Sequence, residues 1–199
     1  MKVIYLDILN DNIEDETISD KVFNDIKNGI KLKDVTFENC IFKNVNFNEI
    51  DIDGVDFINV KFENVDLSNK NFVERLVRDT TFNNCKLFGT SFIDAYIKNV
   101  EISNSLARYI NLSGAKVNNL KIINSDFSDS SLIDLKAKKL YLDSVNFKNS
   151  EILNSKLENA DFSNSNIDGI NIDKFSVKGI YINEFQCVNI IGLLGVNIK

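Results

Sequence analysis

The sequence predicts an all-β solenoid, a short coil of backbone wound repeatedly around one apolar axis. Three observations predict it. First, every fifth residue from Leu32 to Ile182 is apolar without a break in phase. This run of 31 positions includes Phe37, Phe42, Phe62, Phe82 and Phe162, and its only weak members are Ala107 and Ala137. Second, Asn, Asp or Gly stands two residues after the apolar centre in 24 of the 31 pentads, which marks that position as turning backbone. Third, the residue two before the centre is usually small or β-branched, as at Val35, Cys40, Val45, Ala95, Ala115, Ser125 and Ala160.

Neither regular element holds such a repeat. Five residues advance about 500° on an α-helix, so successive centres would drift around it. On a strand, an odd period would put them on alternate faces. The chain must therefore turn once per pentad, with the large and the small residue inward and polar residues outward. A unit of this kind buries its apolar side only by stacking on its neighbours.

Taken in order, Met1 to Leu9 reads as a strand. Thr17 to Gly29 reads as a helical cap, because Ile18, Val22, Phe23 and Ile26 follow helical spacing between Thr17 or Ser19 as N-cap and Gly29 as stop. The pentads follow. After Ile182 the phase fails, and Phe185, Val188, Ile191 and Leu194 form a helical stripe ended by Gly195. The division is thus 1–29 as N-terminal cap, 30–184 as repeat body and 185–199 as C-terminal cap. Two pentads carry Lys70 and Arg75 at the small inward position, and a bulge turning both charges to solvent is expected there.

The pattern small-(Asp/Asn)-(Leu/Phe)-polar-(Gly/Asn), as in Ala160-Asp161-Phe162-Ser163-Asn164 and Val65-Asp66-Leu67-Ser68-Asn69, resembles that of the pentapeptide-repeat proteins. The resemblance covers residues 30–184. It implies a right-handed quadrilateral β-helix with four pentads per coil, hence about 7.75 coils for 31 pentads. At about 4.8 Å per coil the rod would be near 37 Å long. It also implies that the C-terminal helix, through Phe185, Val188, Ile191 and Leu194, pairs two copies into a homodimer.

Composition excludes much else. There is no His, Pro or Trp, so the usual general base and metal ligand are missing. No Ser-His-Asp set, CxxC or phosphate-cradling GxxxxGK is present, so neither catalysis nor a cofactor or metal is expected. Cys40 and Cys85 fall at inward positions about two coils apart, beyond disulfide reach. Without a convincing signal peptide or an apolar span, a cytoplasmic protein is the expectation. The net charge of −6 comes mainly from residues 1–29, with seven acids against three lysines; the remainder is at −2.

With four pentads per coil, residues 20 apart stack on one wall. The wall centred on Leu32, Ile52, Phe72 and Phe92 gathers Asp51, Asp53, Glu74, Asp94, Asp134 and Glu151 beside an outward apolar ladder that includes Ile93 and Ile133. This acidic-apolar strip is the candidate partner-binding surface. The next wall is basic, with Lys116, Lys136 and Lys156 in register. Two functions fit. One is a non-enzymatic, rigid protein-interaction scaffold. The other is implied by resemblance to the quinolone-resistance branch of the family, whose members bind DNA gyrase or topoisomerase IV by imitating DNA; the carboxylates would then stand in for phosphates. Neither involves direct nucleic-acid or membrane binding.

Overall fold

The structure is a computed structural model that describes residues 2–3, 12–24 and 29–196. Parallel pairing joins residues 20 positions apart, through the inward centres in Phe42, Phe62 and Phe82 or Leu32 and Ile52, and through single bridges such as Asn46 to Asp66 on the fourth wall. Four pentads therefore make one coil, and the coils stack into a four-walled, all-parallel solenoid. The first wall is centred on Leu32, Ile52, Phe72 and Phe92, the second on Phe37, Phe57, Val77 and Ile97. The third is centred on Phe42, Phe62, Phe82 and Ile102, the fourth on Phe47, Leu67, Leu87 and Ala107.

The period works because each pentad can turn its own corner. The residue two after the centre takes a left-handed φ in coil after coil, for instance 54° at Asn39, 57° at Asn64 and 69° at Gly54. Asn and Asp tolerate this backbone and Gly adopts it freely. Their side chains add a second layer of order. Asn59 Nδ2 donates to Asn39 Oδ1 at 2.8 Å, and Asn124 to Asn104 at 2.8 Å, so corner amides form ladders along the axis. Where Gly takes the corner, the side chain one coil earlier folds into the space a Cβ would fill, as Asp34 does over Gly54 and Asp94 over Gly114.

The interior is filled as the pattern requires. All 31 centres are buried except Ile52, Val177 and Ile182, which are half-buried. On the third wall the rings of Phe23, Phe42, Phe62 and Phe82 stack with centroids 4.6, 5.1 and 4.8 Å apart. The small inward layer carries buried hydroxyls that bond to backbone. Ser105 Oγ accepts from Cys85 N at 3.0 Å and donates to Ser103 O at 2.7 Å; Ser125 repeats the arrangement one coil on. Cys40 and Cys85 are buried in the same layer as free thiols.

The N-terminal segment departs from expectation. Asn12–Glu14, Thr17–Ser19 and Lys21–Phe23 are strands, not a helical cap. Ile13 pairs with Leu32 and Ile18 with Phe37, a step of 19 instead of 20. The spacing Ile13, Ile18, Phe23 is a pentad run displaced by one residue, with Asp15 and Asp20 at its left-handed corners. Helical spacing and five-residue spacing both fit Ile18 and its neighbours, and stacking on the coil above decides between them. Lys2–Val3 is a strand paired with Lys21 and Val22; the rest of the Met1 to Leu9 strand expectation lies outside the described residues.

Candidate interaction surfaces

The first wall brings all eight expected partner-binding residues to one side of the rod. From Asp51 to Glu151 they span five coil steps, about 24 Å. Asp51, Asp53, Glu74, Asp94 and Asp134 are exposed. Glu74, Asp94 and Asp134 occupy corners with φ of 60°, 55° and 55°, so their Cα positions are fixed by the coil and not by a loop. Their electrostatic surroundings differ. Asp51 and Asp53 stack directly on Lys31 and Lys33 of the preceding coil, which offsets their charge. Lys33 itself pairs with Glu14, whose hydrogen bond raises its pKa. Asp134 accepts from the Asn154 amide, and Glu151 Oε1 accepts from Asn171 Nδ2 at 3.0 Å.

The apolar ladder of this wall is shielded more than an open patch would be. Val73, Ile93, Ile133 and Leu153 are all half-buried, because in-register neighbours cover one another. Asp173, at the end of the wall, has a structural role: its carboxylate accepts from Ser176 N at 2.7 Å and Asn154 N at 2.9 Å, and the Ser176 bonds lower its pKa.

Lys70 and Arg75 do not swing free. Both are half-buried where the first-wall ladder breaks, since Lys31 pairs with Asp51 but the ladder resumes only at Asn71 and Ser91. Lys70 Nζ donates to Ile50 O at 2.7 Å and Asn48 O at 3.2 Å, and burial pushes its pKa down. Asp56 Oδ1 meanwhile accepts from Leu76 N at 2.8 Å. The two charged pentads thus break the regular spacing of the coils, and side chains supply bonds there. Half-burying an ammonium is tolerable only because carbonyls receive it.

The exposed large apolar residues lie elsewhere. On the fourth wall, Phe88 packs edge-on to Tyr109 at 5.2 Å, and Arg108 pairs with Asp129 at 3.0 Å while lying over the Tyr109 ring. A larger group surrounds the C-terminal end: Phe175, Tyr181, Phe185, Val188 and Val196, with Phe185 79% exposed. The expected C-terminal helix is short, Cys187–Ile191, followed by a 3-10 turn at Gly192–Leu194. Phe185 and Val188 face solvent, Ile191 is half-buried, and the side chain of Leu194 lies outside the described residues. Ile190 and Leu193 pack against the core instead.

The residue that sequence reasoning missed is Gln186. It is buried, and its amide donates to Phe162 O at 2.8 Å, which also accepts from Ser165 N at 2.9 Å, and to Ser165 O at 2.7 Å, closing a carbonyl that the last coil leaves open. Asn183 and Gln186 also bond each other's backbone N–H, at 3.0 and 2.9 Å. The polar pair three apart just before an apolar run was the available signal, of the kind a capping box gives.

Among the described residues no helix is long and apolar enough to cross a membrane, and no cluster of His, Cys, Asp or Glu is placed to hold a metal.

The coil geometry agrees with comparison to known families. A model of pentapeptide repeats in eight copies matches residues 30–69, and a model of a pentapeptide repeat region matches residues 55–125. The chain is a pentapeptide-repeat protein. No curated protein matches it. Among solved structures, this pentapeptide-repeat protein is similar to trypsin-treated QnrB1, a plasmid-mediated fluoroquinolone resistance protein: 18% identity, 94% of this chain and 98% of that one, TM-score 0.43. Full-length QnrB1 is 15% identical over 93% of this chain and 100% of that one, TM-score 0.36. HetL, a pentapeptide repeat protein involved in heterocyst differentiation regulation in the cyanobacterium Nostoc sp. strain PCC 7120, is 12% identical over 92% and 90%, TM-score 0.30.

Proposed function

We propose that the protein is a non-enzymatic, rigid interaction scaffold whose first wall docks a protein partner. The observation that carries this reading is the placement of Glu74, Asp94 and Asp134 at left-handed corners, exposed and stacked beside the Val73, Ile93, Ile133 and Leu153 strip. Charged groups held on stacked backbone lose little freedom when a partner binds, which favours affinity through preorganisation. The exposed apolar group at the C-terminal end, with Phe185 and Val188, supports a second contact there, to another copy of the chain.

Imitation of DNA toward gyrase or topoisomerase IV is the second reading, and the acidic column supports it only in sign. Duplex DNA carries one charge per about 1.7 Å, so a 24 Å stretch holds about 14. The wall offers six acids over that length, and Asp51 and Asp53 stack on lysines. Charge density favours an ordinary protein partner.

Two experiments separate the readings. A photo-crosslinker at Ile133 is expected to capture a partner that one at Thr81, on the third wall, does not. The variant Asp94→Asn, Asp134→Asn, Glu151→Gln is expected to lose that capture. Asn and Gln keep the corner conformation and the ladder bonds while removing charge, so folding is preserved. Capture that survives the triple variant would move the contact to another wall. In a gyrase supercoiling assay with and without fluoroquinolone, no effect at micromolar protein is expected, whereas inhibition or rescue abolished by the triple variant would establish the second reading.

A further inference from the structure

The second wall holds a feature that protein docking on the first wall does not use. Tyr96, Lys116, Lys136 and Lys156 stand in one outward column, paired in register from coil to coil. Lys98 and Lys138 stand in the outward column two residues along, with Asn118 between them and one acid, Glu158, next after Lys138. Together they line a groove of about 760 Å³ floored by Ile97, Val117 and Ala137. That volume is in the range of small-molecule sites, about 300–1,000 Å³. The centre Ala137 is one of only two alanines among the large inward positions, and it lies beneath the middle of the lysine column.

The charges here are stacked more densely than elsewhere on the rod. Stacking at 20 residues forces every side chain against its counterparts in neighbouring coils, and like charges meet elsewhere only two at a time, as Glu74 with Asp94, while other contacts are compensated. Lys43 meets Glu63 at 2.9 Å and Lys86 meets Asp66 at 3.6 Å, while the corners are threaded by amide ladders. No other column among the described residues stacks three like charges in consecutive coils. The ammonium groups of Lys98, Lys136, Lys138 and Lys156 make no ion pair within 4.0 Å and no hydrogen bond among the described residues. Lys116 has only Tyr96, donating to its hydroxyl at 3.0 Å with the ammonium 4.6 Å from the ring centroid. Three lysines carried in register on strands about 4.8 Å apart repel one another. A bound anion of several charges would remove that repulsion, and the chain's net charge of −6 argues against indiscriminate polyanion binding.

We propose that this groove binds a small molecule bearing a linear run of phosphates. The phosphate oxygens lie along Lys116, Lys136 and Lys156, Lys98 and Lys138 flank them, and the Tyr96 ring receives any aromatic group at the end. The shared chemistry is the oligophosphate, whether free or as the phosphate chain of a nucleotide.

The test is isothermal titration of the full chain with inorganic tripolyphosphate and, separately, with ATP, at about 0.15 M salt. Binding tighter than about 0.1 mM is expected, weakened at least about ten-fold by Lys136→Gln and unchanged by Lys43→Gln on the third wall. Circular dichroism verifies that both variants keep the wild-type fold. ATP binding more tightly than tripolyphosphate, with the difference lost in Tyr96→Leu, assigns a nucleotide; equal affinities assign the free oligophosphate. The proposal is overturned by no binding at 1 mM, by a Lys136→Gln variant that binds like wild type, by equal weakening in Lys43→Gln, or by duplex DNA binding more tightly than either probe.

Discussion

Replacing Phe62 with alanine tests whether the aromatic stack of the third wall, and not burial alone, holds the coils together. Phe62 is fully buried and touches four rings. It lies nearly parallel to Phe42 and Phe82, at 5.1 and 4.8 Å with interplanar angles of 10° and 2°. It meets Phe57 and Phe47 edge-on, at 5.0 and 6.4 Å. Phe127 is equally buried but contacts one ring, Phe147, at 5.8 Å and 55°. Truncating a buried Phe costs about 3–5 kcal/mol from transfer and cavity terms, which the two sites share. Aromatic pairs add about 0.5–1.5 kcal/mol each beyond area. Three extra pairs at Phe62, discounted for non-additivity, give a gap of about 2 kcal/mol. For a chain of this length that corresponds to about 4–8 °C in melting temperature. Thermal and guanidinium unfolding of Phe62→Ala and Phe127→Ala, followed by far-UV circular dichroism, measures the gap. Equal losses, or a larger loss at Phe127, would refute the argument and reduce the stack to a consequence of packing.

Four further outcomes follow from the geometry. Burial pushes the Cys85 thiol up to about 11. The folded thiol stays protonated where the unfolded one ionises, so its stabilisation is complete below about pH 9 and is lost as pH rises toward 11. The loss is on the order of 2–3 kcal/mol, and Cys85→Ala should flatten the pH slope. In native protein a thiol reagent should label Cys187 at once and Cys40 and Cys85 only on unfolding. Gln186→Ala leaves the Ser165 carbonyl without its donor, while Phe162 O keeps Ser165 N, and should cost about 1–3 kcal/mol. Hydrogen exchange should then rise in the last coil around Phe162 and stay unchanged around Phe62; a uniform rise would refute a local capping role. Finally, light scattering of the wild type should give a dimer that Phe185→Asp with Val188→Asp converts to a monomer, and a wild type monomeric at tens of micromolar would remove the C-terminal interface.

The function of the walls was less legible than the walls themselves. The pattern put Asp51, Asp53, Glu74, Asp94, Asp134 and Glu151 on one side, since stacking residues 20 apart follows from the pentad count alone. The same count sets Lys31 and Lys33 against Asp51 and Asp53. It did not show that the Ile93 and Ile133 ladder is half-covered, or that Asp173 is occupied in bonding the last coil. These depend on side-chain direction across coils. The same holds for Lys70, whose charge read as a bulge toward water and instead reaches back to carbonyls of the preceding coil.

By itself, the sequence determined the winding. A five-residue period that neither helix nor strand can satisfy, with left-handed-tolerant residues at each corner, leaves a stacked coil as the only way to bury 31 centres together. Tertiary structure decided how the coil begins and ends. The 19-residue step that brings Ile13 under Leu32 and the Gln186 amide that closes the Ser165 carbonyl are set by the backbone one coil away. The physical reason is range. Turn preference and inward periodicity act within five residues and are written locally, whereas the partner of an unpaired carbonyl is chosen by whichever chain segment stacks against it.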